Sequence, residues 1–191
     1  MEPPAAGLQI TAEDLVRFRR AADRDEIRQL AYRYAWALDS RNMDAVAELF
    51  APDAESEFGT TKEAWRKRFT RSMSGVRVTV LLVGNHLIDF DGDDQAHGLV
   101  YCRGYIEPVD DPPTGRYLEQ AILYRDRYRR VDGEWRFLSR VHELWYGVET
   151  AERPLDQPPA EWPTHHHGLG TVPYDEPTWQ AFWQQAEGSE A

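Results

Sequence analysis

The chain has 191 residues, 41% of them hydrophobic and 12% aromatic, and this composition predicts one compact domain. Its formal net charge of −11 disfavours nucleic acid and anionic membranes as partners. A single cysteine, Cys102, excludes an internal disulfide and a thiolate metal cluster, and we expect a cytoplasmic location. No apolar run approaches the ~20 residues that cross a bilayer, and the amino-terminal sequence predicts no signal peptide.

Helical patterns come first along the chain. Thr11 with Asp14 three residues later forms a capping box, which predicts a short helix to about residue 22. The main helix is predicted over 24–38, because apolar residues follow one helical stripe: Ile27, Leu30, Ala31, Tyr34, Ala35 and Leu38.

Two further helices are predicted, one from residue 42 or 43 to 50 and one that Thr61 caps. The period then changes to the alternation of β-strands. Strands are predicted over 76–90, 96–107, 116–130 and 134–146, with a loop over 108–115 and tight Asp-Gly turns at 91–93 and 132–133.

Helices followed by an antiparallel meander predict an α+β cone, in which a curved sheet wraps around the N-terminal helices and leaves a pocket. From Glu152 onward, prolines interrupt the sequence and periodicity returns only over 178–186. We therefore predict a domain over 1–150 and a Pro- and aromatic-rich extension over 151–191. Exposing the aromatic residues of the extension to water would cost free energy, so we expect the extension to pack on the domain or across a dimer.

The most informative positions for chemistry are Tyr34 and Asp39 on the main helix. Tyr34 lies on the buried stripe and Asp39 ends it. A carboxylate at the edge of an apolar interior loses hydration, which raises its pKa and suits it to proton transfer. The alternative is that Asp39 starts a turn or caps the next helix.

An ordered series of segments carries a family resemblance. The segments are 25–39, LFAPDA over 49–54, GNHLIDFDGD over 84–93, and 124–137, which contains YRDRY and DGEWRF. Together they resemble SnoaL-like proteins of the nuclear-transport-factor-2-like superfamily over about residues 20–150. The resemblance implies the cone-shaped fold.

The resemblance also implies a choice of functions. The superfamily includes polyketide cyclases, scytalone dehydratase, bile acid 7α-dehydratase, ketosteroid isomerase, a dehydrochlorinase and an epoxide hydrolase, besides non-catalytic members and dioxygenase β-subunits. In the dehydratase and dehydrochlorinase branch, a Tyr-x4-Asp on the first long helix works with a sheet histidine, and Tyr34 and Asp39 match the first part. In that branch the histidine stands four residues before an asparagine. Asn85 resembles this asparagine, so the position of the histidine is occupied by Leu81 in this chain.

Two histidines are candidate replacements. Strict alternation places Leu81, Val83 and Asn85 on the pocket face and His86 on the outer face. On the last strand, His142 shares a face with Arg140.

Arg140 resembles, by its spacing from Trp135, a cavity arginine of the dehydrochlorinase. This resemblance would place His142 in the pocket, where it could act as a base beside Asp39. The alternative for His142 is a sheet histidine bonded to a neighbouring backbone group or tyrosine.

The remaining candidates line the pocket or fall outside it. Predicted substrate-binding residues are Asn85, Leu81, Val83, Trp65, Tyr101 and Tyr124. The run His165 to His167 suits a solvated loop better than a metal site, because consecutive side chains point in different directions. No Gly-rich phosphate loop is present, so neither a metal nor a cofactor is expected.

These observations predict a cofactor-independent cyclase, dehydratase or isomerase of secondary metabolism. Its substrate would be an apolar oxygenated ring compound, polyketide- or terpenoid-like. Asp39 or His142 would act as the base, and Tyr34 and Arg140 would stabilise the oxyanion. The alternative is a non-catalytic ligand-binding or scaffold protein such as a ring-hydroxylating dioxygenase β-subunit. A homodimer is expected through the uncovered outer sheet face, which carries Val78, Val80 and Leu82.

Overall fold

The computed structural model describes residues 9–109, 117–150 and 176–188. Three helices precede a four-stranded sheet, where the sequence predicted four helices and then four strands, and the last helix follows the sheet. The helices are α1 Ala12–Asp39, α2 Met43–Glu48, α3 Lys62–Met73 and α4 Pro177–Gly188, and the strands are β1 Val76–Phe90, β2 Gln95–Pro108, β3 Tyr117–Val131 and β4 Glu134–Thr150. Residues 110–115 of the predicted loop over 108–115, most of the extension and His165 to His167 lie outside the described residues.

Helix α1 is continuous, so the prediction of two helices separated near residue 23 is wrong. No proline or glycine interrupts the chain there, and Asp23 has a tertiary role instead. Its buried carboxylate accepts hydrogen bonds from Arg130 and, at 3.2 Å, from the Trp135 indole. The capping box is confirmed, because Thr11 Oγ1 accepts from the Asp14 backbone at 3.1 Å.

The sheet has the order β1-β2-β3-β4 with every neighbouring pair antiparallel, which confirms the predicted meander. The Asp132-Gly133 turn has φ angles of 51° and 87°, the left-handed pair that a tight hairpin requires. One sheet face packs against α1 and encloses the core. The buried α1 residues on this side include Ile27, Leu30, Ala31, Tyr34 and Leu38.

A bulge in β1 reverses the predicted side-chain directions. The register with β2 shifts between Val83 and His86, so strict alternation does not hold across Gly84 and Asn85. His86 faces the interior, where its ring contacts Tyr128, and the prediction that it points outward is wrong. Asn85 is exposed at the bulge rather than in line with Leu81 and Val83.

A second irregularity, between Val76 and Val78, corrects the predicted outer face. Val78 is buried, so it does not belong to the uncovered surface. Val80 and Leu82 are exposed, as predicted. The outer face is extended by exposed side chains of β4: Val141, Trp145, Tyr146 and Val148.

Helix α4 packs on the domain at the end of α1. Thr178 Oγ1 donates to the Ser40 carbonyl at 2.6 Å, and the Trp179 indole donates to the Arg77 carbonyl at 3.3 Å. Phe182 joins the core. The division at residue 150 stays a prediction. Within the described residues, no helix has the length and apolar character needed to span a membrane.

Gly98 is expected to be irreplaceable. A Cβ there would lie 2.5 Å from the Leu87 carbonyl oxygen, and neither backbone can move freely inside the sheet. We expect Gly98→Ala to lower the free energy of unfolding by about 1–3 kcal/mol in urea titrations. Gly75→Ala is the matched control, since nothing lies within 4 Å of its added Cβ. Equal midpoints for the two variants would contradict this account.

Candidate functional site

Asp39 lies at the carboxyl end of α1, where the helix meets β1. Its Oδ2 accepts a hydrogen bond from the Leu81 backbone N–H at 3.0 Å. Its Oδ1 is sealed from solvent and accepts no hydrogen bond from any described residue. The carboxylate is thus held on one side only, which leaves one oxygen for another donor.

Burial raises the pKa of Asp39 to about 6. The Leu81 N–H, the nearby Thr79 hydroxyl and the charge of Arg41 lower it, but they do not compensate for the lost hydration. A carboxyl group with this pKa exchanges a proton near neutral pH, as the sequence predicted. The alternative that Asp39 caps the next helix is not what the structure shows, because Asn42 caps α2.

Arg41 is a buried site-forming residue that the sequence interpretation missed. Its φ is 58°, and this left-handed turn aims the guanidinium back under α1. The guanidinium donates to Thr79 Oγ1 at 3.0 Å and to the Val76 carbonyl at 2.7 Å. Burial lowers the pKa of Arg41 to about 10, and Asp39 opposes that shift, so Arg41 is a fixed positive charge beside the carboxylate.

Arg140 is the second charged group of the interior. It forms a two-pronged ion pair with Asp126, from Nε to Oδ1 at 2.9 Å and from Nη2 to Oδ2 at 2.7 Å. Its guanidinium carbon lies 4.2–4.4 Å from the ring centroids of Tyr34, Tyr124 and Phe137. Burial by itself would lower the pKa of Arg140, but Asp126 raises it, so the charge persists.

Tyr34 and Tyr124 place two hydroxyls in the same aromatic cluster. Their ring centroids are 5.9 Å apart, and both side chains are buried. Burial raises the pKa of both phenols, so each keeps its proton. Neither hydroxyl bonds to another described residue, although neither is sealed from solvent. Both are therefore donors available to a bound oxygen atom.

Cys102 connects the two charged groups electrostatically. Burial raises the pKa of its thiol to about 12, Arg140 lowers it, and Asp39 raises it. Both charges therefore act on the β2 face between them. The interior combines a carboxyl group whose pKa is raised to about 6 with a guanidinium that stays charged.

Side chains are exposed along the second half of β4, toward the end of the sheet where β1 begins and β4 ends. Leu144 on this stretch is 49% exposed. Leu81 and Val83 are half-buried and pack against the core, and their role as substrate-binding residues stays a prediction.

His142 lies on this exposed stretch of β4. The side chain is exposed, and its ring contacts Tyr124 at 5.4 Å between centroids. Partial burial lowers the pKa of His142, so it is neutral at pH 7. It forms no hydrogen bond with Asp39, whose Oδ2 is bound by Leu81. The Asp39 and His142 pair stays a prediction.

Three of the predicted lining residues lie elsewhere. Trp65 stacks on Phe50 at 3.8 Å, and its indole is bonded to the Ala54 carbonyl, so it is a core residue. Asn85 and Tyr101 lie on the outer face, and the prediction that they line the interior is wrong. They border an outer groove of about 390 Å³ together with Leu82, Arg103, Glu119, Trp145 and Tyr146.

The interior also contains His86, Asp126 and Tyr128, which the sequence interpretation did not assign to the site. Asp126 and Tyr128 alternate with exposed residues along β3, so the pattern in YRDRY could have identified them. His86 could not be found this way, because its direction depends on the bulge. Among described residues, no group of three His, Cys, Asp or Glu side chains could hold a metal.

The sequence matches the SnoaL-like domain family over residues 19–141. This segment runs from within α1 to the middle of β4, and the chain belongs to that family. No curated protein matches the chain significantly.

Solved structures share the fold. A type 2 hexachlorocyclohexane dehydrochlorinase, LinA, is 19% identical with a TM-score of 0.62, over 71% of this chain and 93% of its own. The type 3 enzyme from Novosphingobium barchaimii is 20% identical with a TM-score of 0.63, over 71% and 94%. A scytalone dehydratase-like protein from Novosphingobium aromaticivorans is 22% identical with a TM-score of 0.60, over 72% and 93%. At these identities, the likeness concerns the fold.

Asp39 is expected to make stability pH-dependent. Because its pKa is about 6 when folded and 3.8 ordinarily, the folded chain binds the proton more tightly, and stability falls as the pH rises through this range. The Asp39→Asn variant has no carboxyl group at this position, so it does not lose this stability. Between pH ~3.5 and pH ~7, its free energy of unfolding relative to that of the parent should rise by about 2–3 kcal/mol in urea titrations.

Asp44→Asn is the control, since the Asp44 side chain is 85% exposed. If the difference between Asp39→Asn and the parent stays constant with pH, Asp39 does not have a raised pKa.

Proposed function

We propose that this chain is a cofactor-independent lyase or isomerase of the dehydratase and cyclase kind. Its substrate would be an apolar oxygenated ring compound, polyketide- or terpenoid-like. The observation that carries the proposal is the Asp39 carboxyl group, with a pKa of about 6 and one oxygen without a hydrogen bond. The family and the fold of dehydratase and dehydrochlorinase neighbours support the same class.

Asp39 would act as the general base. Its carboxylate accepts the proton of a C–H bond, and the electron pair of that bond forms a double bond. In an elimination, the leaving group departs with its own electron pair; in an isomerisation, the electrons move onto a carbonyl oxygen and return with the proton at another carbon. Proton transfer of this kind typically contributes ~10²–10⁴-fold in rate.

The Tyr34 and Tyr124 hydroxyls would stabilise the developing oxyanion. Each is a donor in a water-poor interior, where hydrogen bonds to charge are strong. The Arg140 guanidinium lies 4.2–4.4 Å from the centroids of both rings and keeps its charge because Asp126 raises its pKa. His142, exposed on β4, would relay protons between Asp39 and solvent, because it is neutral at pH 7.

A phenolate tests this arrangement before the substrate is known. 4-Nitrophenolate resembles an enolate oxyanion, and its visible absorbance reports binding. At pH ~8 the ionised Asp39 repels the bound anion, so Asp39→Asn should bind 4-nitrophenolate about tenfold more tightly than the parent. Tyr34→Phe should bind it about fivefold more weakly, because one donor is lost.

Nitrobenzene is the uncharged comparison ligand, and neither substitution should change its affinity much. Tyr105→Phe is the matched control variant, since Tyr105 stacks on Tyr117 away from the interior. If the parent binds both ligands equally and Asp39→Asn changes neither, the interior has no oxyanion site, and a scaffold role becomes the better proposal.

We also propose that the chain forms a homodimer through its outer sheet face. This face, bounded by Val80, Leu82, Val141, Trp145, Tyr146 and Val148, carries large apolar side chains that are 44–58% exposed. These apolar side chains lie on the edge strands β1 and β4, and the Arg103–Glu119 and Arg125–Glu143 ion pairs lie on the same face. So many exposed large apolar side chains are unusual on a monomer. A second copy would cover the patch and the outer groove.

Sedimentation velocity checks the dimer. Trp145→Glu should shift the chain from dimer to monomer, because it introduces a charge at an apolar side chain that the dimer would bury. Trp36→Glu is the control, since Trp36 is 55% exposed on α1, away from the sheet. A parent that sediments as a monomer at every concentration tested would contradict the proposal.

A further inference from the structure

A continuous chain of hydrogen bonds crosses the interior from β1 to β4. His86 Nε2 lies 2.9 Å from the Tyr128 hydroxyl, and that hydroxyl donates to Asp126 Oδ2 at 2.7 Å. The same Asp126 oxygen accepts from Arg140 Nη2 at 2.7 Å. Four side chains on three strands, β1, β3 and β4, are thereby joined in series.

The direction of each hydrogen bond follows from the number of protons. Tyr128 has one hydroxyl proton, and it is committed to Asp126, which can only accept when ionised. The Tyr128 oxygen must therefore accept from His86, so the His86 proton is on Nε2. This assignment leaves Nδ1 without a proton, and among the described residues Nδ1 has no hydrogen-bond partner. Every donor in the chain points toward Asp126.

The chain is sealed in the core. Tyr128 and Asp126 are 1% and 2% exposed. Gly98 makes room, since a Cβ there would lie 3.3 Å from the Tyr128 ring and 3.4 Å from His86 Nε2. Hydrogen bonds in such surroundings polarise one another and hold their members in one geometry.

His86 is uncharged under ordinary conditions. Burial lowers its pKa to about 4; Asp126 on β3 opposes this shift, while Arg140 on β4 and Arg28 on α1 add to it. Between this value and neutral pH, His86 can donate only from Nε2 while Tyr128 holds it. The direction of the chain is therefore maintained across the range in which Asp39 titrates.

We infer that His86 is a positioning residue for Arg140, acting through Tyr128 and Asp126. Asp126 accepts two hydrogen bonds from Arg140 and one from Tyr128, and His86 strengthens the last by polarising the Tyr128 hydroxyl. Asp126 then holds the guanidinium flat among the rings that carry the Tyr34 and Tyr124 hydroxyls. The inference rests on the proposed function in one respect, that Arg140 supports an oxyanion.

Nitrogen-15 NMR of the unliganded chain tests the geometry without any substrate. His86 should show a protonated Nε2 and an unprotonated Nδ1, and this tautomer should persist to about pH 5. Tyr128→Phe removes the acceptor, so the His86 tautomers should become mixed. A His86 protonated on Nδ1, or a tautomer that Tyr128→Phe does not affect, would overturn the inference.

The coupling to Arg140 is tested by a rescue. His86→Leu keeps the volume but cannot donate, whereas His86→Gln places an amide N–H near the position of Nε2. His86→Leu should speed solvent exchange of the Arg140 Nε–H and lower the preference for 4-nitrophenolate over nitrobenzene about fivefold. His86→Gln should restore both to within about twofold of the parent.

The double variant with His86→Leu and Tyr128→Phe should show Arg140 exchange and a 4-nitrophenolate preference close to those of either single variant. The two changes break the same chain of hydrogen bonds, so their effects should not add. Equal losses in His86→Leu and His86→Gln, or additive losses in the double variant, would show a packing role and overturn the inference. If the parent has no phenolate preference, the proposed function fails, and Arg140 exchange still decides the role of His86.

Discussion

A guanidinium among aromatic rings needs a counter-charge, and the interior is organised around the pairing of Arg140 with Asp126. Desolvating either ion alone would cost several kcal/mol, so the two must enter the core together. They come from facing positions of β3 and β4, which pair directly in the register. The register is thereby constrained, since a one-residue slip would turn one of the charges outward.

That pairing places two charges inside an aromatic part of the core. The rings of Tyr34, Tyr124 and Phe137 cover the guanidinium and exclude water. Asp39 lies apart from this cluster, with Arg41 as its nearest cation. Because Arg41 is occupied by Thr79 and by backbone carbonyls, it only partly offsets the burial of Asp39. A carboxyl group so placed keeps a pKa near neutrality rather than forming an ordinary ion pair.

The β1 bulge has a similar influence on the sheet. One extra residue at Gly84 and Asn85 turns His86 inward and Asn85 outward, and Gly98 leaves space opposite. At this point the side chain that faces the interior is therefore the imidazole of His86 and not the amide of Asn85. The strand position at which the resemblance implies a histidine is occupied by Leu81, which instead contributes its backbone N–H to Asp39.

The sequence by itself determined the order of helices and strands, the antiparallel meander, the family and the burial of Tyr34 and Asp39, because periodicity and turn residues are local properties. Alternation along β4 also placed Arg140 and His142 on one face, and the family resemblance placed that face in the pocket. Only the tertiary structure decided the direction of His86, the outer positions of Asn85 and Tyr101, and the exposure of His142. Those depend on a bulge and on how much of β4 the core covers, and both arise from contacts between strands distant in sequence rather than from any local pattern.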